Sequence, residues 1–393
     1  MKLSDFIIKV GERAIKYPQK YISPGHNGPY NDPETPVRNY GHWLITFSKC
    51  FEMTGGQIYL KKIKELAEYL ISNDARPHGF SFHHRSKEGK DRCNGLVGQA
   101  WTIEALQAAS STLGERKYSQ IAGDVFFQHK FIENLGLWRC LDIDGNDLVI
   151  DPTFNHQLWF AACASKLKSS RRNKILNRVI CFLDKLNLNL TLLDNGLIYH
   201  PIINQININE NKLFLRPYLR NIAKELLSFI RQMLGKTNNL DRMYQEKMVN
   251  KSIGYHQFNM YAFGQLKESV PDHPFWQSKE YKKSIKFLLS DEFKNGVRQN
   301  IYGFPYNPPG FEVPYALSMF PNLDAEEIVE ISTWWINEQF NRSYNPETTM
   351  MDRNTDDTLT HTARIYEITR LPISILKRIK IDIQSIDDFS EID

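Results

Sequence analysis

Two kinds of helical segment alternate along the chain. The first kind is almost free of charge: Asn39–Ser48, Asn94–Ser110, Thr153–Ser165, Ile253–Leu266 and Glu312–Phe320, with a more polar sixth at Asp357–Leu371. The second kind is amphipathic: Gln57–Ser72, Lys117–Phe131, Asn173–Leu186, Glu280–Ser290 and Asp324–Phe340. A helix that is apolar all round must be buried all round, whereas an amphipathic helix covers one side and faces water on the other. Alternating the two predicts a double-layered helical array, with a period of roughly 50–60 residues per pair, which is repeat spacing. Five pairs are visible. The N-terminal helix, Leu3–Lys16, can act as outer partner of the sixth inner segment. Six pairs closed head to tail make an all-α fold, an (α/α)6 toroid. An open solenoid is the competitor, but it would not need its two ends to supply complementary halves.

The period is broken once, at about 187–250. Residues 1–393 are therefore expected to form a single toroid domain with an insertion at its rim. Asp194–Ile202 has turn chemistry followed by a strand-like run, which predicts a hairpin. Pro217–Leu234 predicts an extra amphipathic helix, and a peripheral membrane or protein partner is the interaction it could serve. The stretch DIDGNDL (Asp142–Leu148) superficially resembles a calcium loop. Its twelfth position is Thr153 and not a bidentate Glu, so a turn between two short strands is expected instead.

The remaining composition mostly excludes. A net charge of +4 on 393 residues, with Lys and Arg mixed among acids, gives no reason to expect nucleic acid. The basic cluster Lys166–Lys174 reads as a solvated connection. Five widely spaced cysteines without CxxC support neither a disulfide framework nor a zinc site, so no metal and no cofactor are expected. Reduced thiols and an N-terminus interrupted by Asp5, Lys9, Glu12 and Arg13 give a cytoplasmic expectation. No run approaches the ~18 apolar residues of a transmembrane segment. No GxxxxGK[ST], HExxH or GxSxG motif is present.

The chargeless segments carry polar side chains near their starts. These are His42; Gln99; Asn155, His156 and Gln157; His256 and Gln257; Glu312; and Asp357, His361 and Arg364 at i, i+4 and i+7. If the inner helices run parallel, these first turns meet at one mouth of the toroid, together with free backbone amides and positive dipole ends. Trp43, Trp101, Trp159, Tyr255 and Tyr315 occupy the same turns. Neutral hydrogen-bonding groups beside flat aromatic rings suit a sugar, whose hydroxyls need directional partners and whose ring faces stack. One His or Gln at a helix start also serves as a cap or a satisfied core residue, and a buried Trp as plain core. The carbohydrate expectation rests on recurrence at equivalent positions.

With NGLVGQAWTIEAL, DPTFNHQLWFAA and HTARIYEITRL, this layout resembles the six-hairpin glycosidase-like superfamily. Within it, the chain is similar to AglQ-type proteins of surface-polysaccharide gene clusters. The resemblance covers nearly the whole chain. It implies the toroid and a carbohydrate setting, with an oligosaccharide or polysaccharide as substrate, and it brings no catalytic residue set.

Three functions follow from the residues. Glycoside hydrolysis is the leading expectation, with the other two as alternatives, and it requires two carboxyl groups. Asp91 with Glu312 is the expected pair, Asp356 or Asp357 the substitute, and Asp151 also lies before an inner helix. Epimerisation or β-elimination at a uronic acid requires bases on a carbon acid and cations for the enolate. His156, His256 and His361 are suited as bases, Tyr255 and Tyr315 as donors, Arg92 and Arg364 as carboxylate ligands. The sugar itself is expected on His42, Trp43, Arg92, Gln99, Trp101, Asn155, Tyr255, His256, Gln257, Tyr315 and Arg364. A catalytically silent glycan-binding protein is the third. Glu104, deep in a chargeless helix, needs a buried partner, for which Arg139 or Arg364 is expected.

Overall fold

The computed structural model describes residues 1–202, 239–320 and 323–383. Its principal helices are α1 (Leu3–Lys16), α2 (Val37–Thr54), α3 (Gln57–Ile71), α4 (Gly95–Leu113), α5 (Arg116–Gln128), α6 (Phe154–Ser165), α7 (Arg172–Asp184), α8 (Asn239–Ser269), α9 (Lys279–Leu288), α10 (Asp291–Arg298), α11 (Pro309–Ser318), α12 (Ala325–Ser343) and α13 (Thr358–Ala363). A 3-10 helix, Arg364–Arg370, continues α13. Around the interior, α2 packs on α4, α4 on α6, α6 on α8, α8 on α11, α11 on the 3-10 segment, and that segment back on α2. The inner ring therefore closes. The chain is an (α/α)6 toroid and not an open solenoid.

Burial follows the charge pattern. In α4, residues Gly95–Gln107 are buried without interruption, and α6 is buried at all but His156. Outer helices bury one stripe, as α3 does with Tyr59, Ile63, Leu66, Ala67 and Leu70. Stops are set locally. Gly55 and Gly114, at φ 68° and 71°, end α2 and α4 in the left-handed conformation that glycine adopts without steric cost. The start of α12 is fixed by a capping box between Asp324 and Glu327.

The N-terminal helix fills the sixth outer place. Phe6 meets Phe340 and Tyr344 of the α12 end edge-on, at ring-centroid distances of 4.7 and 5.5 Å, and α1 also packs on α2. A strand-like pairing joins the ends of the described chain: Leu3 N–H donates to the Ile379 carbonyl (3.0 Å) and Ile381 N–H to the Met1 carbonyl (2.9 Å).

The sixth inner helix departs from the expected continuous α-helix over Asp357–Leu371. Its second half is wound as 3-10, and Pro372 lacks the N–H that a further α-turn requires. Outside the ring, β1 (Phe131–Ile132), β2 (Leu137–Leu141) and β3 (Asp147–Ile150) form an antiparallel sheet. The DIDGNDL stretch is the turn between β2 and β3, where Asp142 N–H donates to the Asn146 carbonyl. Within the insertion, Leu192 pairs with Ile198 around a turn at Gly196, while the expected helix at 217–234 lies outside the described residues. Among the described residues, no helix is long and apolar enough to cross a membrane.

Candidate active site

The first turns of neighbouring inner helices meet at one end of the ring. At the start of α4, Asn94 and Gly95 are both left-handed, with φ 55° and 58°. This double turn leaves two successive amides facing outward. Gly95 N–H donates to Asp91 Oδ1 (2.8 Å) and Leu96 N–H to Asp151 Oδ2 (3.0 Å), so two carboxylates gather at one helix start. Asp151 precedes α6, and its Oδ2 also meets His156 Nδ1 at 2.8 Å. Burial alone would raise the Asp151 carboxyl. The neighbouring imidazole and the Leu96 and Thr153 amides outweigh it and hold it below its ordinary range. The His156 side chain keeps 23% exposure, and its Nε2 makes no hydrogen bond among the described residues. A Cβ at Gly95 would lie 2.6 Å from Asp151 Oδ2 and 2.8 Å from His156 Nδ1, so only glycine admits this pair. Next to it, His200 lies against Tyr255, with ring centroids 4.6 Å apart, and Tyr255 shares a hydrogen bond with Tyr30. Burial, and then the Lys251 charge, push the His200 imidazole well below its usual range.

The interior side of the mouth is a buried ionic network. Arg38, in the first turn of α2, stacks on Trp101 at 4.0 Å. Its Nη1 donates to Glu34 and Asn27, both at 3.0 Å, and its Nε to His42 Nε2 at 3.3 Å. The His42 ring stacks on Tyr366 at 4.2 Å. His84 bonds Thr102 and packs edge-on against Trp101. Burial, then Arg38, lower both imidazoles, His84 to about 3. On the 3-10 segment, Arg364 donates to the Tyr306 carbonyl, Asn307, Glu367 and Glu312. Glu312 and Glu367 are thus two buried carboxyl groups on one guanidinium. Burial raises both, and the mutual repulsion raises Glu312 further.

Several residues expected at the mouth face elsewhere. Trp43 donates its indole N–H to the Tyr21 carbonyl and packs behind α2. Tyr315 reaches Glu268 at the opposite end of the ring. Both His256 nitrogens are engaged, one by the Ile198 amide and one by the Ser284 carbonyl, between the layers. His361 bonds Gln339 of α12, so Asp357, His361 and Arg364 do not act on one face. Asp357 accepts from the amides of His26, Gly28 and Thr360 and so anchors a loop. Asp356 is exposed on the rim, and Arg92 pairs there with Asp142 and Asp144. Asn155 is buried, and its Oδ1 has no partner among the described residues.

The glutamines hold the backbone. Gln99 accepts from Phe82 N–H and donates to the Phe82 and Cys93 carbonyls. Gln157 repeats this on Trp138 N–H, the Trp138 carbonyl and the Asp151 carbonyl. Gln257 ties Gly254 to Asn307. Asp91 and Glu312 share no partner: Asp91 is bound by Arg85, Cys93 and Gly95, Glu312 by Arg364. Glu104 pairs with Arg370, and not with Arg139, which binds the Leu148 carbonyl, or with Arg364.

Sequence reasoning left out Glu34, Arg38, His84, Asp151 as the partner of His156, His200, Tyr30, Tyr306 and Glu367. Two signals were available. Glu34 and Arg38 form an i,i+4 charge pair directly ahead of a chargeless helix, and Asp151 stands five residues before His156. His84 and His200 lie in connections without periodicity and gave none.

No family model matches the chain. It is 39% identical over 373 residues to archaeal glycosylation protein Q of Haloferax volcanii, covering 94% of this chain and 97% of that one. Among solved structures, the unsaturated glucuronyl hydrolase of Bacillus sp. GL1 superposes with a TM-score of 0.58 at 10% identity, over 95% of this chain and 97% of that one. The cellobiose 2-epimerase of Spirochaeta thermophila gives 0.55 at 11%, again over 95% and 97%. These likenesses repeat the closed ring that the helix contacts already establish. The extent and level of identity with the Haloferax protein go further: the chain belongs to the archaeal glycosylation protein Q family, on a six-hairpin (α/α)6 fold.

Proposed function

We propose that this protein is a carbohydrate-active enzyme of a glycosylation system, and that it moves a proton at a sugar carbon next to a carbonyl or carboxyl group, as an epimerase or isomerase does. The observation that carries the reading is the Asp151–His156 pair. A carboxylate fixes the tautomer of the imidazole, and the opposite nitrogen is left unbonded on a partly exposed side chain. His156 is the base, Asp151 positions it, and the Tyr255 hydroxyl returns the proton.

A second reading, glycoside hydrolysis, is favoured by one feature: Asp91 and Asp151 accept from adjacent amides of one helix start. The two readings differ in product mass. Candidate glycans and free sugars are incubated in deuterated water and analysed by mass spectrometry. Solvent deuterium in an otherwise unchanged sugar, abolished by His156→Asn, is expected. Gain of a water molecule, lost in Asp91→Asn, would replace this reading with hydrolysis.

A further inference from the structure

Helix α9 carries its positive charge on one side. Lys279, Lys282, Lys283 and Lys286 follow one another at helical spacing, turned away from the buried Tyr281, Ser284 and Phe287. Like charges three and four residues apart destabilise a helix. Among the described residues, no carboxylate or other group pairs with any of these four ammonium groups. Elsewhere on the outer layer lysines are compensated: Lys62 has Glu65, and Lys64 and Lys117 share Glu115.

The lysine row runs into exposed apolar side chains. Leu289, three residues past Lys286, is 44% exposed. Helix α10 packs on α9 through Phe287 and Phe293, and on α12 through Phe293 and Trp335, with ring centroids 5.9 Å apart in both pairs. The three helices therefore form one stretch of outer wall. On its outward side stands Trp334, 41% exposed, with Lys294 and Arg298 at 5.6 and 5.8 Å from its ring. Ile301, 55% exposed, follows α10. Lys294 and Arg298 already have acids, Asp291 at 3.9 Å and Glu338 at 3.4 Å, so the uncompensated charge belongs to α9.

We propose that this face of α9, with Leu289, Ile301 and Trp334, docks the protein on a lipid bilayer bearing anionic headgroups. Charge complementarity selects the occupant: a row of lysines without acids calls for a surface with many negative charges. The apolar side chains select a bilayer over nucleic acid, because leucine, isoleucine and tryptophan beside lysines are what an interfacial contact buries at headgroup depth. They stand singly and not as one apolar centre, unlike the core of a protein interface. The contact is peripheral and does not use the 217–234 segment. It also has a direction. Ile301 precedes Tyr302, whose ring lies 5.9 Å from Tyr255 and 6.0 Å from Tyr30, so a bilayer seated here borders the mouth. The proposal is independent of the proton-transfer reading.

The test sediments the whole chain with vesicles of phosphatidylcholine, or of an equimolar mixture of phosphatidylcholine and phosphatidylglycerol, at low and high salt. Binding to the mixed vesicles alone, released by high salt, is expected. Each lysine at an anionic surface is worth about fivefold in partitioning, so Lys282→Gln, Lys283→Gln and Lys286→Gln together should weaken binding about a hundredfold at a parental melting temperature. Should the triple variant melt early, Lys286→Gln alone should lose about fivefold. The control is a second triple variant, Lys61→Gln, Lys62→Gln and Lys64→Gln on α3, which removes the same charge from another sector and should bind as the parent does. Undiminished binding by the α9 variant, equal loss in the α3 variant, equal binding to neutral vesicles or no binding to either kind would each overturn the proposal. So would capture of a DNA duplex or of polyglutamate in place of the vesicles, lost in the α9 variant, which would give the face to nucleic acid or to an acidic protein.

Discussion

A single absent methyl group decides where His156 can stand. Gly95 is left-handed, which costs an L-residue roughly 1–2 kcal/mol, and its missing Cβ is the space that Asp151 and His156 occupy. Gly95→Ala should therefore lower stability by about 1–2 kcal/mol and reduce deuterium exchange far more, since the imidazole must shift. A folded Gly95→Ala protein with parental exchange would separate the dyad from the chemistry. Histidines also set the pH response. His84 and His361 are pushed down to about 3, and His129 and His256 to about 4, from an ordinary 6.5, in each case chiefly by burial. Below about pH 6.5 the unfolded chain takes up these protons and the folded one does not, so stability falls with pH until the folded residues protonate. Asp151 adds in the same direction: its contribution is present above the unfolded carboxyl value and lost as pH falls through the lower folded one. Thermal melting between pH 7 and pH 4 should show a steep decline, one proton shallower in His256→Asn.

At the scale of elements, glutamine is the joint between layers. In two successive repeats, one amide side chain closes on the N–H and C=O of a connection residue and on the carbonyl six positions earlier. Gln157→Leu would strand these groups of Trp138 and Asp151, which predicts a loss of about 2–5 kcal/mol in denaturant unfolding. The alternation of helices is legible in the sequence because charge is what water exposure requires, repeat after repeat. The role of a glutamine is not, because its partners lie outside the helices and far off in sequence: Phe82 stands 17 residues before Gln99, and Trp138, in β2, stands 19 before Gln157. Recurrence of Gln at helix starts marks a shared role, and for Gln99 and Gln157 that role is architectural. Arg38 stands in the first turn of α2, just outside the chargeless run that begins at Asn39, so the helix pattern does not single it out.

At the scale of the whole molecule, the ring depends on its seam. Ile379 and Ile381 are buried, and their strand is bonded to residues 1–3. Ending the chain after Leu376 should remove about 5 kcal/mol, from two buried isoleucines and the pairing. Amide exchange should then quicken first in α1; uniform protection there would show that the seam is not needed. The inner wall and the mouth have separate duties. Wall positions are buried and tightly packed, while His156, His200, Asp91 and Glu34 sit on first turns or connections drawn from four stretches of chain. An ancestor could thus trade one reaction for another by rewriting a handful of rim codons, leaving its scaffold untouched. The same ring carries the Spirochaeta thermophila cellobiose 2-epimerase and the Bacillus sp. GL1 glucuronyl hydrolase, each 10–11% identical to this chain, so the scaffold by itself does not choose the reaction.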